Sequence, residues 1–455
     1  MRAARGTSPA QLASPDTSAG QPPIVRPLVD PSPLFATNRV RSSSSAILSS
    51  AIRSKTRPQR SRVARTFRAR FLPTMAPRLS SLPALLAEMV AVPSVNPLGD
   101  AGGSVSGEAR MGAWLADHLR ALGADVETRL LAPGRPNIIG VFEPLSPASA
   151  TIVFAPHLDT VGVAGMTVPP FSLTRRAGRL HARGACDTKG PTAALLWALR
   201  RWTRSAERRK CAIRWVVAAT AGEEEGSAGA QALVGTGFRA DFAVALEPTA
   251  LRVVHAAKGI VRAWLETRGR AHHGAQPTRG DNAIYHMLPL ALALRDSVAP
   301  EFAARHHPIL GSASLNLGVM SGGQDLNIVP DLCRVGVDIR WHPELTEAEV
   351  LHRLQAAIAQ HAPRATLQVQ RTAPAFVTAR THPWAQRLRR AGTGWARADW
   401  FCDANIFAAA GIPAVAFGPG NIAQAHTHDE FIREQDLADG AEAFLRFLTL
   451  PAARK

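Results

Sequence analysis

The sequence predicts an α/β fold with a second, α+β domain inserted into it, on three observations. From Leu82 onward, apolar residues at helical spacing alternate with short β-branched runs, the pattern of a sheet layered with helices. Between about residues 258 and 372 that alternation gives way to strand patterns that read as antiparallel. Composition agrees with a globular chain: 455 residues at 46% hydrophobic and 19% charged can bury two or three sizeable cores. A fibrous, repetitive or wholly disordered chain is excluded.

The elements follow in order. Residues 1–74 are rich in Ser, Pro and Arg, lack the apolar core of a secretory signal, and read as a basic extension that buries nothing. A disordered arm, an organelle transit segment and sequence upstream of a true start at Met75 are the three readings, and Met75 opens apolar spacing at once. Residues 75–257 form the first part of the main domain. A helix is expected over Ser106–Leu122, with Gly123 where a C-cap glycine belongs. Buried strands are expected at Asn137–Val141, Thr151–Phe154, Ile213–Ala219 and Phe242–Leu246. Pro191 sits in the first turn of an apolar helix. Residues 258–372 form the insert, with strands at Ile260–Glu266, Ser314–Met320 and Cys333–Arg340 and helices at Asn282–Ala299 and Thr346–His361. Residues 373–455 return to the main domain with a strand at Ala414–Phe417 and a helix over Glu434–Leu448.

Charge and cysteines narrow the function. The chain carries 53 basic and 35 acidic residues, a net +18 that by itself suggests a polyanion partner. Thirteen of the basic residues, against only Asp16 and Asp30, precede Met75, so eleven of those charges sit in the extension. No aromatic interleaving or DNA-reading motif accompanies them, so neither nucleic acid nor membrane is expected as a partner. A nucleic-acid or anionic-surface binder acting through the basic arm is the competing class. Cys186, Cys211, Cys333 and Cys402 are widely spaced and read as free thiols of a cytoplasmic protein. No uninterrupted apolar run reaches the ~18 residues of a spanning helix.

Five polar groups carry the chemistry. His157-Leu158-Asp159, Asp187, Glu223-Glu224-Glu225 and Glu247-Pro248 stand at or beyond the C-terminal ends of expected strands, where open α/β sheets place ligands. His426 follows the strand ending at Phe417 and the turn Gly418-Pro419-Gly420. Each alone has an ordinary explanation: a hydrogen-bonded pair, a solvated loop, a loop opening, a surface histidine. Together those explanations require five accidents at equivalent places. Two histidines with several carboxylates form the ligand set of a hydrolytic metal, and five ligands are too many for one catalytic zinc. A pair of cations about 3.5–4 Å apart, sharing one carboxylate, uses them all.

In these motifs the chain resembles the dinuclear metallopeptidase and deacylase family of acetylornithine deacetylase, succinyl-diaminopimelate desuccinylase, aminoacylase and glutamate carboxypeptidase. The matching segments are Pro156-His-Leu-Asp-Thr160, Arg183-Gly-Ala-Cys-Asp-Thr-Lys-Gly190, Glu223-Glu-Glu-Gly-Ser227, Glu247-Pro-Thr249, Gly269-Arg-Ala-His-His-Gly274, Asn327-Ile-Val-Pro330, Asp338-Ile-Arg340 and His426-Thr427, spanning about residues 80–450. The resemblance implies a mixed, mostly parallel sheet flanked by helices and a ferredoxin-like insert serving as lid and homodimer contact. It implies that two divalent cations, zinc first and cobalt or manganese otherwise, are held by His157, Asp187 and Glu247 and by Asp187, Glu224 and His426, with a cis peptide after Asp187. Asp159 would accept a hydrogen bond from His157, and Glu223 would be the general base; a register slip to Glu224 and Glu225 is the alternative, because Gly222 replaces the family's usual acid. His273, chosen over His272, would reach a partner's site to hold the oxyanion. Asn327, Arg340, Gly418 and Gly420 would contact the substrate carboxylate. The implied activity is hydrolysis of an N-acyl amino acid, first acetylornithine, otherwise a succinylated substrate, a dipeptide or a glutamate-releasing one.

Overall fold

Runs such as Ile213–Ala219 and Phe242–Ala245 have no polar face to offer water, and they are covered on both sides. In the computed structural model, which describes residues 81–97 and 107–450, they lie inside a nine-stranded sheet. The expectations for residues 1–74 and for a start at Met75 lie outside the described residues. The sheet order is Asp125–Ala132, Arg135–Phe142, Ile213–Ala219, Ala150–Ala155, Phe242–Ala245, Ala414–Ala416, Arg252–Ala257 and Phe376–Val377, with Gly394–Ala398 also paired to Arg252–Ala257. The four central strands, from Ile213–Ala219 to Ala414–Ala416, pair in parallel and the strands beside them are antiparallel. The sheet is therefore mixed with a parallel centre, as the sequence predicts.

One face packs against helices Leu82–Val90, Glu108–Ala121, Lys189–Thr203 and Glu434–Thr449, around Phe154, Trp202, Trp215, Phe444 and Phe447. The other packs against Ala228–Gly235 and Asp403–Ala409. Gly123, at φ 89°, closes the end of Glu108–Ala121 in the left-handed region where a side chain would be strained. Among the described residues no helix is long and apolar enough to cross a membrane.

A second, antiparallel sheet takes its strands from between Gly259 and Ala373, in the order Ser314–Gly322, Leu332–Trp341, Gly259–Arg268, Thr366–Ala373. Its alternation is that of a half-covered sheet. Val261, Ala263, Leu265, Val335, Val337 and Ile339 point to a core beneath helices Ala283–Ala293 and Glu347–His361. The residues between them make the opposite, more polar face, on which Asn316, Asp338, Arg262 and Arg371 stand in one cross-strand row.

The sequence reading contains no strand at Thr366–Ala373. Its outward positions are Gln and Arg, and most of the strand is half or fully exposed, so it lacks the apolar signal of its neighbours. The single helix expected over Asn282–Ala299 is helix Ala283–Ala293, a π turn at Leu294–Val298 and helix Ala299–Ala304. Asn282 caps it, its Oδ1 accepting from Ile284 N at 2.9 Å. Thr346 and Glu349 form a capping box at the start of Glu347–His361.

Candidate metal centre

The parallel centre of the large sheet explains why residues far apart in sequence meet. Ala150–Ala155 runs into His157, Ile213–Ala219 into the Glu223-Glu224 loop, Phe242–Ala245 into Glu247, and Ala414–Ala416 into the loop carrying His426. Parallel strands end on the same edge, so these four loops share one rim. Asp187 comes from a separate loop, just before helix Lys189–Thr203. A cleft of about 390 Å³ opens there, with Asp187, Glu223, Glu224, Glu247 and His426 on its wall.

His157, Asp187 and Glu224 each present a ligand atom within 4.8 Å of the others. The Nδ1 of His157 lies 2.9 Å from the carbonyl oxygen of Asp159, which can only accept, so Nδ1 carries the proton and Nε2 faces the site. Nε2 is 3.0 Å from Asp187 Oδ1. The other Asp187 oxygen is 3.5 Å from His426 Nε2, which in turn lies 3.0 Å from Glu224 Oε2. One carboxylate thus stands between two histidines, each with a neutral-imidazole nitrogen to offer. The peptide between Asp187 and Thr188 is cis.

The electrostatics call for cations. Burial raises the pKa of Glu223 well above the carboxylate range, and the charges of Glu224, Asp403 and Asp159 add to it. Burial does the same to Glu247, with Asp187 and Glu223 adding. No ion pair with lysine or arginine reaches Asp187, Glu223, Glu224 or Glu247 among the described residues, and Glu224 Oε1 is buried without a hydrogen-bond partner. Protons take up part of the role: Asp187 and Glu224 push His426 up to about 10, and Asp159 and Asp187 raise His157 against the pull of burial. Four buried carboxylates, two histidines and an orphaned acceptor are a donor set that fits divalent metal ions.

Glu223 and Glu224 turn inward and Glu225 is exposed. Asp159 has a further contact beyond the one the sequence suggests. Its carboxylate is 3.5 Å from His157 Nδ1 but accepts from Glu223 N and Glu224 N, both at 3.1 Å, and from Asn96 Nδ2 at 2.7 Å. The carbonyl of Asp159 is the nearer acceptor for His157 Nδ1, and the carboxylate, beside the same nitrogen, also holds the glutamate pair.

Two residues that the sequence reading did not single out hold the same loops. Glu430, fully buried, accepts from Arg183 Nη1 (2.8 Å), Gly184 N (3.0 Å), Cys186 N (2.8 Å) and Asp187 N (3.0 Å), fixing the backbone that presents Asp187. Arg371, from the unforeseen strand, donates to the carbonyls of Glu223 (2.8 Å) and Glu224 (3.1 Å). Glu430 stands within the His426-Thr-His-Asp-Glu430 run, where its acidity was visible and its partners were not.

Of the expected substrate contacts, Arg340 lines the cleft. It forks onto Asp338 (2.6 and 3.2 Å), which also accepts from Arg262 at 2.7 Å. Asn327 and His273 are not on the wall of that cleft. Both are exposed and sit together on the second sheet's side, where Gly274 N donates to Asn327 O and His273 bridges to Ile328. Gly418 and Gly420 are buried and also off the cleft wall. Gly418 N donates to Thr249 Oγ1 at 3.2 Å, and Gly420, at φ 85°, lies where a Cβ would meet Cys186 Sγ at 2.8 Å. Packing of the turn explains both glycines without a substrate.

Comparison with known proteins adds the following. The model of peptidase family M20/M25/M40 matches residues 153–450. Acetylornithine deacetylase of Myxococcus xanthus is 32% identical over 316 residues, 66% of this chain and 80% of that protein. Among solved structures, the M20 family metallo-carboxypeptidase Sso-CP2 from Sulfolobus solfataricus is similar at a TM-score of 0.70 and 17% identity, over 80% of this chain and 98% of that one. The Bacillus subtilis YXEP protein, a dinuclear metal binding peptidase from the M20 family, is similar at a TM-score of 0.57 and 14% identity, over 81% and 97%. At these identities the structural likeness speaks to the fold.

Proposed function

This chain belongs to peptidase family M20/M25/M40, and from that premise we propose that it is a two-metal amide hydrolase releasing the acyl group of N-acyl amino acids. The observation that carries the reading is the meeting of buried His157, Asp187 and Glu224 with the more exposed His426 in one group, with Glu223 and Glu247 on the same wall. His157, Asp187 and Glu247 would hold one cation, and Asp187, Glu224 and His426 the second, with Asp187 shared. Two divalent ions, zinc first and cobalt or manganese otherwise, supply a polarised carbonyl and an acidified water at neutral pH.

The remaining work falls to the chain. Glu223, on the cleft wall and outside the proposed ligand set, takes a proton from the attacking water and returns it to the leaving nitrogen. Asp159 keeps the Glu223 and Glu224 amides fixed while this happens. Arg340 is the residue we assign to the substrate carboxylate, its planar fork preset by Asp338. We further propose residues 258–372 as a lid and homodimer contact, through which the exposed His273 and Asn327 of one protomer serve the cleft of the other. A cytoplasmic location accords with four free cysteines.

Acetylornithine is the first substrate to try, on the strength of the curated relative. A second reading, a substrate with an acidic acyl group or side chain, has an observation of its own. The carboxylates on the cleft wall are those of the proposed cation and base set, leaving none for an ornithine ammonium, while Arg262, Arg340 and Arg371 also line it. The experiment is a panel of N-acetyl and N-succinyl amino acids and dipeptides, acetylornithine included, on chelated protein restored with Zn, Co or Mn. Hydrolysis of one class identifies it, and inactivity on every member after reconstitution would sink the hydrolase reading.

A further inference from the structure

The glutamate pair is gripped from two sides. Its amides are held from beneath, by the Asp159 carboxylate of the large-sheet domain. Its carbonyls are held by Arg371, which belongs to the second sheet: Nη2 donates to Glu223 O at 2.8 Å and Nη1 to Glu224 O at 3.1 Å. We propose that Arg371 is a positioning residue that fixes the Glu223-Glu224 main chain and ties it to the second sheet. This rests on the assignment of Glu223 as base.

Three further observations support it. The pairing of Thr366–Ala373 with Gly259–Arg268 shifts register between Val369 and Arg371, a bulge of the kind that re-aims a side chain. The guanidinium lies 4.0 Å from the ring centroid of Phe401, a residue of the large-sheet domain, so its plane is fixed as well as its hydrogen bonds. Its Nε is buried without a partner, so this arginine gives up hydration in order to reach two carbonyls. Arg262 and Arg340 differ: each is paired with the Asp338 carboxylate. Arg371 also lines the cleft, but it has no carboxylate partner among the described ion pairs, and two of its guanidinium nitrogens are spent on main-chain carbonyls.

The consequence is a link between sheet position and base placement. A general base must sit within hydrogen-bond reach, about 2.6–3.2 Å between heavy atoms, of the group whose proton it takes, and a misplacement of about 1 Å can cost about 10²-fold in rate. Should the second sheet move away from the large one, both carbonyls would lose Arg371, and the loop would keep only its own bonds, Gly226 N on Glu223 O at 3.2 Å and Ser227 N on Gly222 O at 2.7 Å, and the grip of Asp159.

The test compares R371M and R371K with wild type. Loss of two charge-assisted donors predicts a kcat roughly 30- to 100-fold lower in R371M, with R371K between the two. KM is expected to stay within about twofold, because the substrate's own contacts remain. Bound metal should be unchanged. In metal-free protein the amides of Glu223, Glu224 and Gly226 should exchange faster in R371M than in wild type, with exchange in Ile213–Ala219 unaltered. Unchanged kcat and exchange, or a loss confined to KM, would overturn the proposal, the latter making Arg371 a substrate contact. Should R371M fail to fold, R371K carries the same readouts. If wild type hydrolyses nothing on the panel, the hydrolase reading fails while amide exchange in metal-free protein still decides Arg371.

Discussion

Glu223 and Glu224 are adjacent in sequence, similarly buried, and assigned different work by their neighbours. Glu224 Oε2 meets His426, whereas Glu223 has no histidine at hydrogen-bond distance and a pKa driven up by burial and the charges around it. Glu223→Gln keeps the shape and removes the proton acceptor. The expected outcome is unchanged metal content with kcat lower by roughly 10²- to 10⁴-fold, measured by elemental analysis and steady-state assay on one preparation; near-wild-type turnover would remove Glu223 from the role. Glu430→Ala attacks the site through its backbone instead. It leaves Arg183 buried without its carboxylate and three amides without an acceptor, so a loss on the order of 3–5 kcal/mol is expected in urea unfolding. At this scale the sequence showed the ligands and hid their supports. His157, Asp187 and Glu247 are conspicuous because charge beside an apolar strand is rare. Glu430, Arg371 and Asn96 act on main-chain atoms or on side chains more than sixty residues away, and no local pattern marks such a partner.

Strands with two covered faces were legible as apolar runs, and their boundaries in the structure fall within two residues of those expected. Strands with a polar face were harder, and the strand carrying Arg371 went unread because its exposed residues are those of a loop. The polar face of the second sheet carries the testable element. On it Asp338 is flanked by Arg262 on the neighbouring strand and by Arg340 two residues along its own. Burial alone would raise the Asp338 carboxyl, but the two guanidinium groups hold it below its ordinary value. A carboxyl whose folded pKa lies below its unfolded one stabilises the fold above the unfolded value, about 4, and that contribution fades as pH falls through the folded value. Asp338→Asn should therefore lower urea stability near pH 6, and the gap to wild type should close as pH falls below about 4. A gap that widens in acid would mean that the row is held by something other than this ion pair. The same variant frees Arg340 from its preset plane, so KM for the carboxylate substrate should rise with little change in kcat.

The whole molecule leaves one piece of the proposed chemistry unassembled within a single chain. The cleft has base, cation ligands and arginines on its wall, but the histidine expected to hold the oxyanion, His273, is exposed and off that wall. Around it the same part of the chain exposes Tyr285, Leu326 and Ile328 on one surface, apolar side chains that a monomer has no reason to cluster. On the proposed homodimer reading, a two-fold contact through this surface would bury them and offer His273 a route to the partner's cleft. This arrangement makes a prediction that no single-chain site can meet. Glu223→Gln and His273→Ala are each expected to be inactive as homodimers. Mixed under conditions that exchange subunits, they form heterodimers in which one cleft has lost both groups and the other has neither lesion. Random exchange then restores about a quarter of wild-type activity, since half of the dimers carry one good cleft of two. Activity that rises with exchange time to that level places His273 in the partner's cleft. A mixture that stays inactive while sedimentation shows subunits exchanging returns His273 to its own chain, where the second sheet would have to swing to bring it in.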